Sequence, residues 1–150
     1  MMCAMPSFAH TVQVAAAPEA VYAIIDDTDR TPEWLRRCTK IDNPANGHNT
    51  VGTPLTYHYK DGRRTGQMDG KIITHEPGRR FAMNFVDAMT DVTVNFETAP
   101  GADAGSTSLT HSIDIRTKGF GKLFTPVIKK TLPTQTTDAM EQLKALAERG

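Results

Sequence analysis

"GFGKLFTPVIKKTLPTQTTDAMEQLKALAERG", residues 119–150, decides how the rest of the chain is read. Its apolar residues recur at helical spacing. Phe120, Leu123, Phe124, Val127 and Ile128 form one stripe, and Leu132, Thr136, Ala139, Met140, Leu143, Leu146 and Ala147 carry it on. Such a stripe needs an apolar partner, because an amphipathic helix gains most of its stability from burying its dry side. Pro133 lacks a backbone N–H and predicts a kink or interruption, although the stripe on both sides of it is compatible with one long bent helix. Pro126, preceded by Thr125, offers an alternative first turn.

The partner lies upstream, where the period changes to two. Leu55, Tyr57 and Tyr59 alternate with Thr56, His58 and Lys60. Phe81, Met83 and Phe85 alternate with Ala82 and Asn84, and Val92, Val94 and Phe96 with Thr93, Asn95 and Glu97. Leu109, His111, Ile113 and Ile115 alternate with Thr110, Ser112 and Asp114. Residues 38–43 and 64–75 add two more strands, with Gly66 and Gly70 predicting a bulge or bend in the second. "NPANGHN", "KDGR", "EPGR" and "APGADAGS" are the intervening turns. One dry and one wet face per strand is the signature of an antiparallel sheet.

Toward the N-terminus, Phe8, His10, Val12 and Val14 share one face of a further strand. Pro18 then opens a short helix whose buried stripe is Ala20, Val21, Ile24 and Ile25. Thr31 is the expected cap of a second short helix, with Pro32 first inside it and Trp34 and Leu35 on its apolar side. Residues 1–7 are expected to be a loose N-terminal segment of a single domain spanning 1–150. The predicted class is α+β: a curved antiparallel sheet wrapped round a long C-terminal helix, with two short helices after the first strand.

Composition narrows the function classes. The 17 basic and 17 acidic residues cancel, which argues against a nucleic-acid binder and against a polybasic membrane-surface protein. No window reaches the roughly 20 apolar residues of a membrane span, so no stable insertion is expected. Two cysteines, Cys3 and Cys38, make no zinc signature, and "MMCAMPSF" lacks the features of a signal peptide. The expected setting is cytoplasmic and reducing. Single histidines in "HSID" and "THEP" lack a second ligand, so neither metal nor cofactor is expected. "GFGKLF" lacks the spacing of a phosphate-binding loop.

Three stretches resemble a known superfamily. "VQVAAAPEAVYAIIDDTDRTPEWLRRCTKI", residues 12–41, resembles the opening of START/Bet v 1-like (SRPBCC) proteins. "IITHEPGRRFAM", residues 72–83, is similar to their Glu-Pro hairpin, and the C-terminal stretch looks like their terminal helix. The nearest resemblance is to the polyketide cyclase/dehydrase and lipid-transport group, and "PEWLRRC" is also similar to the coenzyme Q-binding branch. The resemblance implies a helix-grip fold, a seven-stranded antiparallel sheet gripping the long helix around an elongated cavity. It also implies a small hydrophobic ligand: a lipid, sterol, quinone, plant hormone or polyketide.

The candidate ligand-binding residues are Trp34, Tyr57, Tyr59, Phe81, Met83, Phe85, Phe96, His111, Leu123 and Val127. All carry apolar surface, and Trp34, the tyrosines and His111 add polar handles. His111 is read either as a satisfied core histidine, as a ligand contact, or as an acid/base group. No carboxylate falls on the dry face, since Asp69, Glu97 and Asp114 fall on the wet one. Aromatase/cyclases of the group use arginine and tyrosine inside the cavity, whereas Arg63, Arg64, Arg79 and Arg80 fall at turns here and Arg116 on the wet face. Arg36 and Arg37 read as solvated cations at a helix end. A non-catalytic carrier is therefore the leading expectation. A cyclase or dehydratase using His111 and a tyrosine, and a protein-interaction module, are the alternatives, and a homodimer stays open.

Overall fold

The computed structural model describes residues 7–45 and 48–149, and not the side chain of Asp61. The expected loose N-terminal segment, apart from Ser7, and two residues of the "NPANGHN" loop lie outside the described residues. The chain runs β1 (Ser7–Val14), α1 (Pro18–Asp26), a 3-10 turn (Thr28–Arg30) and α2 (Thr31–Trp34). Six strands follow: β2 (Cys38–Asp42), β3 (Pro54–Asp61), β4 (Arg64–Glu76), β5 (Arg80–Val86), β6 (Thr90–Pro100) and β7 (Thr107–Thr117). A 3-10 segment (Gly119–Phe124) then leads into α3 (Thr125–Arg149).

The strands form one antiparallel sheet in the order β1-β7-β6-β5-β4-β3-β2. The two end strands, β1 and β2, flank α1 and α2 in sequence. Successive hairpins build the rest, so only β1 pairs far along the chain, with Phe8 opposite Ile113 and Val14 opposite Thr107. The predicted dry face is kept: Leu55, Phe81, Met83, Phe85, Phe96 and Leu109 are all buried. It is covered by α3, whose buried residues are Leu132, Thr136, Ala139, Met140, Leu143, Leu146 and Ala147. This is the helix-grip arrangement.

Three local expectations change. Thr31 is not a cap: it lies inside the helical turn, and the residue before it already has helical φ and ψ. The preceding turn is capped instead by Asp27, whose Oδ1 accepts from Asp29 N at 3.2 Å. As the stripe on both sides of it allows, Pro133 lies inside the single helix α3, and Pro126 lies in its first turn. The irregularity in β4 falls between Ile72 and Thr74, not at its glycines. The N-terminal part of the helical stripe is also only partly buried. Phe120, Leu123 and Val127 are exposed, Phe124 is half exposed and also lines the cavity, and Ile128 and Leu132 turn toward the sheet. The 3-10 segment winds at three residues per turn, so a stripe drawn at 3.6 residues loses phase across it.

Gly66 and Gly70 make room for two rings. Each pairs across the ladder with an aromatic residue, Gly66 with Tyr59 and Gly70 with Phe85. The rings lie over the bare glycine backbones. A Cβ at Gly66 would come 2.6 Å from the Tyr59 hydroxyl, and one at Gly70 would collide with the Asn84 carbonyl and the Phe85 ring. Two large rings thus lie low across the concave face, leaving space above them.

Hydrogen bonds fasten the short helices to the sheet. The Tyr22 hydroxyl donates to Arg80 O at 3.0 Å, and Thr107 Oγ1 donates to Ala16 O at 2.6 Å. Asn49 Nδ2 donates to Asp26 O and Oδ1 at 2.7 and 2.8 Å, and His75 Nε2 lies 3.1 Å from the same carboxylate. At the far end, Lys144 Nζ donates to Gln13 O at 3.0 Å and Glu148 accepts from Ala15 N at 2.8 Å, tying α3 to β1.

Two substitutions rank these features. Leu143→Ala, at a fully buried position, should cost about 2–5 kcal/mol in urea unfolding. Gly70→Ala, which presses on main chain, should cost about 1–3 kcal/mol, and Gly66→Ala less, because a tyrosine tip can move aside.

Candidate functional site

Between the sheet and the N-terminal half of α3 lies a cavity of about 630 Å³. That is the size of a small-molecule site. Tyr57 and Tyr59 of β3, Met83 and Phe85 of β5, and Val92, Val94 and Phe96 of β6 form its floor. His111, Ile113 and Ile115 of β7 continue it, Trp34 of α2 also lines it, and Ile128, Leu132 and Ala139 of α3 form the roof. These residues alternate in sequence because their strands alternate, so the sheet's pleat alone gathers them on one side.

Phe96 organises the polar part. The His111 ring stacks on it at 4.4 Å and 9°, and the Trp34 ring meets it edge-on at 5.6 Å and 87°. His111 is 5% exposed and Trp34 3%. Both His111 ring nitrogens and the Trp34 indole N–H lack a hydrogen-bond partner among the described residues. An unpaired buried polar group costs about 1–3 kcal/mol, so two such residues around one apolar ring are a feature the fold tolerates at a cost. Burial, helped by the charge of nearby His10, holds the His111 pKa down to about 4. The imidazole is therefore neutral at pH 7, with one N–H to donate and one lone pair to accept.

The other polar groups stand at the rim. Arg36 Nε donates to Asp138 Oδ2 at 2.7 Å, linking α2 to α3. The Arg37 guanidinium lies 5.4 Å over the Tyr59 ring and lines the cavity, as does Arg64. Two carboxylates, Asp87 and Asp138, also line it. The strands contribute none, as expected, but the β5–β6 turn and α3 do. Both are engaged: Asp138 with Arg36, and Asp87 Oδ1 with Met89 N and Thr90 N at 2.8 and 2.7 Å. Tyr57 is held protonated, because burial raises its pKa. Cys38 is a free buried thiol whose pKa is pushed up to about 12 by the same cause.

Of the ten candidate residues, the structure brings seven together around the cavity: Trp34, Tyr57, Tyr59, Met83, Phe85, Phe96 and His111. Phe81 does not line it. It packs edge-on with Tyr22 and His75 on the far side of the core. Leu123 and Val127 do not line it either; they face solvent. Arg37, expected in solvent, reaches the rim instead, and Arg64, which flanks the β3–β4 turn as expected, lines the rim as well. Arg64 is the first residue of β4, opposite Asp61, and Arg37 directly precedes β2. Among the described residues no group of three or more His, Cys, Asp or Glu is gathered as a metal site. Among the same residues no helix is long and apolar enough to cross a membrane.

A family model described as polyketide cyclase / dehydrase and lipid transport matches residues 5–148. The chain belongs to this family. Solved structures similar to this polyketide cyclase/dehydrase family member include the Zhui aromatase/cyclase from Streptomyces sp. R1128, at TM-score 0.81 and 15% identity over 97% of this chain and 95% of that one. A START superfamily protein from Mycobacterium smegmatis has TM-score 0.78 and 18% identity over 97% and 99%. Truncated norcoclaurine synthase from Thalictrum flavum has TM-score 0.70 and 17% identity over 95% and 93%. At these identities the likeness is one of fold. No curated protein sequence matches the chain.

His111 gives this family member an acid limb. An unfolded histidine titrates near pH 6.5 and the folded one near 4, so the unfolded state takes up the proton first as pH falls. The associated stability is complete above about pH 6.5 and is lost toward pH 4, roughly 3 kcal/mol in all. Urea unfolding at neutral pH and at about pH 4.5 should show the wild type losing about 2–3 kcal/mol more than His111→Leu, which has no imidazole to charge.

Proposed function

We propose that the protein binds a small hydrophobic ligand bearing one carbonyl or hydroxyl oxygen, held in the cavity between sheet and α3. A single observation carries this reading: the Trp34 N–H and His111 nitrogens, unpartnered among the described residues, flank Phe96 in a mainly apolar chamber whose charged groups stand at the rim. A ligand oxygen beside Phe96 would satisfy them, while aromatic and methionine side chains would cover its apolar body. Aromatic rings and flexible thioethers suit flat, conjugated molecules such as quinones and polyketides. Tyr57 and Tyr59 supply further hydroxyls toward the rim.

Carriage or sensing fits these residues better than turnover. With a pKa near 4, His111 is a weak base at neutral pH. The carboxylates at the rim are tied to Arg36 and to main-chain N–H groups, and none lies in hydrogen-bond contact with His111. An imidazole without an orienting partner is a hydrogen-bonding handle rather than one half of an acid/base pair.

Trp34 is the sole tryptophan, so it reports directly. Menadione should quench its fluorescence saturably with one site per chain. His111→Leu should weaken binding about 3- to 10-fold, the worth of one hydrogen bond. Absence of saturable quenching would sink the proposal. If a polyketide-like substrate were turned over by the wild type and not by His111→Leu, the cyclase reading would replace it.

A further inference from the structure

Four large apolar side chains stand in solvent beside the cavity. Phe120 is 82% exposed, Leu123 76%, Val127 59% and Phe124 47%. They belong to the 3-10 segment and the first turn of α3, the part of the C-terminal helix that the sheet does not cover. Lys118, Lys122, Lys129 and Lys130 are exposed among them. From Thr117 to Thr137 the chain has four cations, these lysines, and no Asp or Glu, a local charge of +4 in a protein whose net charge is zero. Contiguous exposed apolar side chains mark a contact surface, and lysines interleaved with Phe, Leu and Val suit the boundary between anionic headgroups and acyl chains.

We propose that this face docks the protein on an anionic membrane surface. The charge is complementary to acidic headgroups. A second copy of the chain is a poor occupant, because a two-fold contact would set the lysines of one face against those of the other. The side chains project from a convex helical turn, which a fluid bilayer receives without a shaped groove. The segment is also held firmly. Lys118 N donates to Met89 O at 2.8 Å, Gly121 packs directly under the Met89 carbonyl, and the Thr117 and Thr125 hydroxyls are 2.9 Å apart. Phe124 is both half exposed and part of the cavity lining, so a docked protein would present its chamber to the bilayer edge. Contact would be peripheral, as no helix among the described residues can span a membrane. Docking rests on this surface alone, whatever the cavity holds.

Cosedimentation with phosphatidylcholine vesicles, with and without phosphatidylglycerol, tests the idea. Binding should be at least about tenfold tighter with phosphatidylglycerol and should weaken in high salt. Leu123→Ser/Val127→Ser should reduce it about tenfold while leaving menadione quenching of Trp34 unchanged. No binding to either vesicle, equal binding to both, or undiminished binding by the double variant would each overturn the proposal. A dimer in sedimentation velocity that the double variant dissolves would assign the face to a second copy and overturn it equally. Failure of menadione binding with intact vesicle binding would remove the ligand reading and leave this one standing.

Discussion

The structure depends on how far the sheet can cover the C-terminal helix. α3 has 25 residues, roughly 37 Å of helix. Its buried positions begin only at Leu132 and run to Ala147. Over that half, Met140 and Leu143 are fully enclosed, and Lys144 and Glu148 are fastened to β1. Over the other half, the helix stands off from the strands. The same seven strands therefore make a solid core at one end and a chamber at the other. Gly66 and Gly70 deepen the difference by letting Tyr59 and Phe85 lie close to the backbone.

Within the chamber the controlling element is Phe96. Its two contacts fix the orientation of His111 and Trp34, which come from distant parts of the chain, β7 and α2. Aromatic packing of this kind contributes on the order of 0.5–1.5 kcal/mol per pair. That is comparable to the cost of leaving one buried polar group without a partner. Rings that pack well can thus hold unsatisfied hydrogen-bonding groups in place. This is the physical basis of the proposal that the pair meets a ligand.

Charge is distributed as unevenly as packing. Acidic and basic residues cancel over the chain, and several pair in the fold, as in Arg36–Asp138, Arg80–Glu97 and Lys144–Glu148. These exposed pairs each contribute little to stability. The cations of residues 117–137 lie in a stretch with no acidic residue and beside the exposed apolar side chains. A whole-chain sum of zero is a statement about solubility and long-range attraction, and it does not describe a local face.

The sequence by itself determined the class, the succession of strands and most of the dry face. Alternation and helical spacing are local properties, and turn chemistry at Gly62 and Gly78, both at positive φ, sets where strands reverse. Alternation alone therefore puts Tyr57, Met83, Phe85, Phe96 and His111 on one face. Only the tertiary structure decided which of those residues face space and which face one another. Phe81 shares its strand face with Met83 and Phe85 yet lies in solid core, because α1 covers it through Tyr22. Leu123 and Val127 continue an apolar stripe yet face water, because the helix outruns the sheet and begins with a 3-10 segment. Whether a dry position meets a neighbour or a cavity depends on the curvature of the sheet and the reach of α3, quantities that no periodicity encodes.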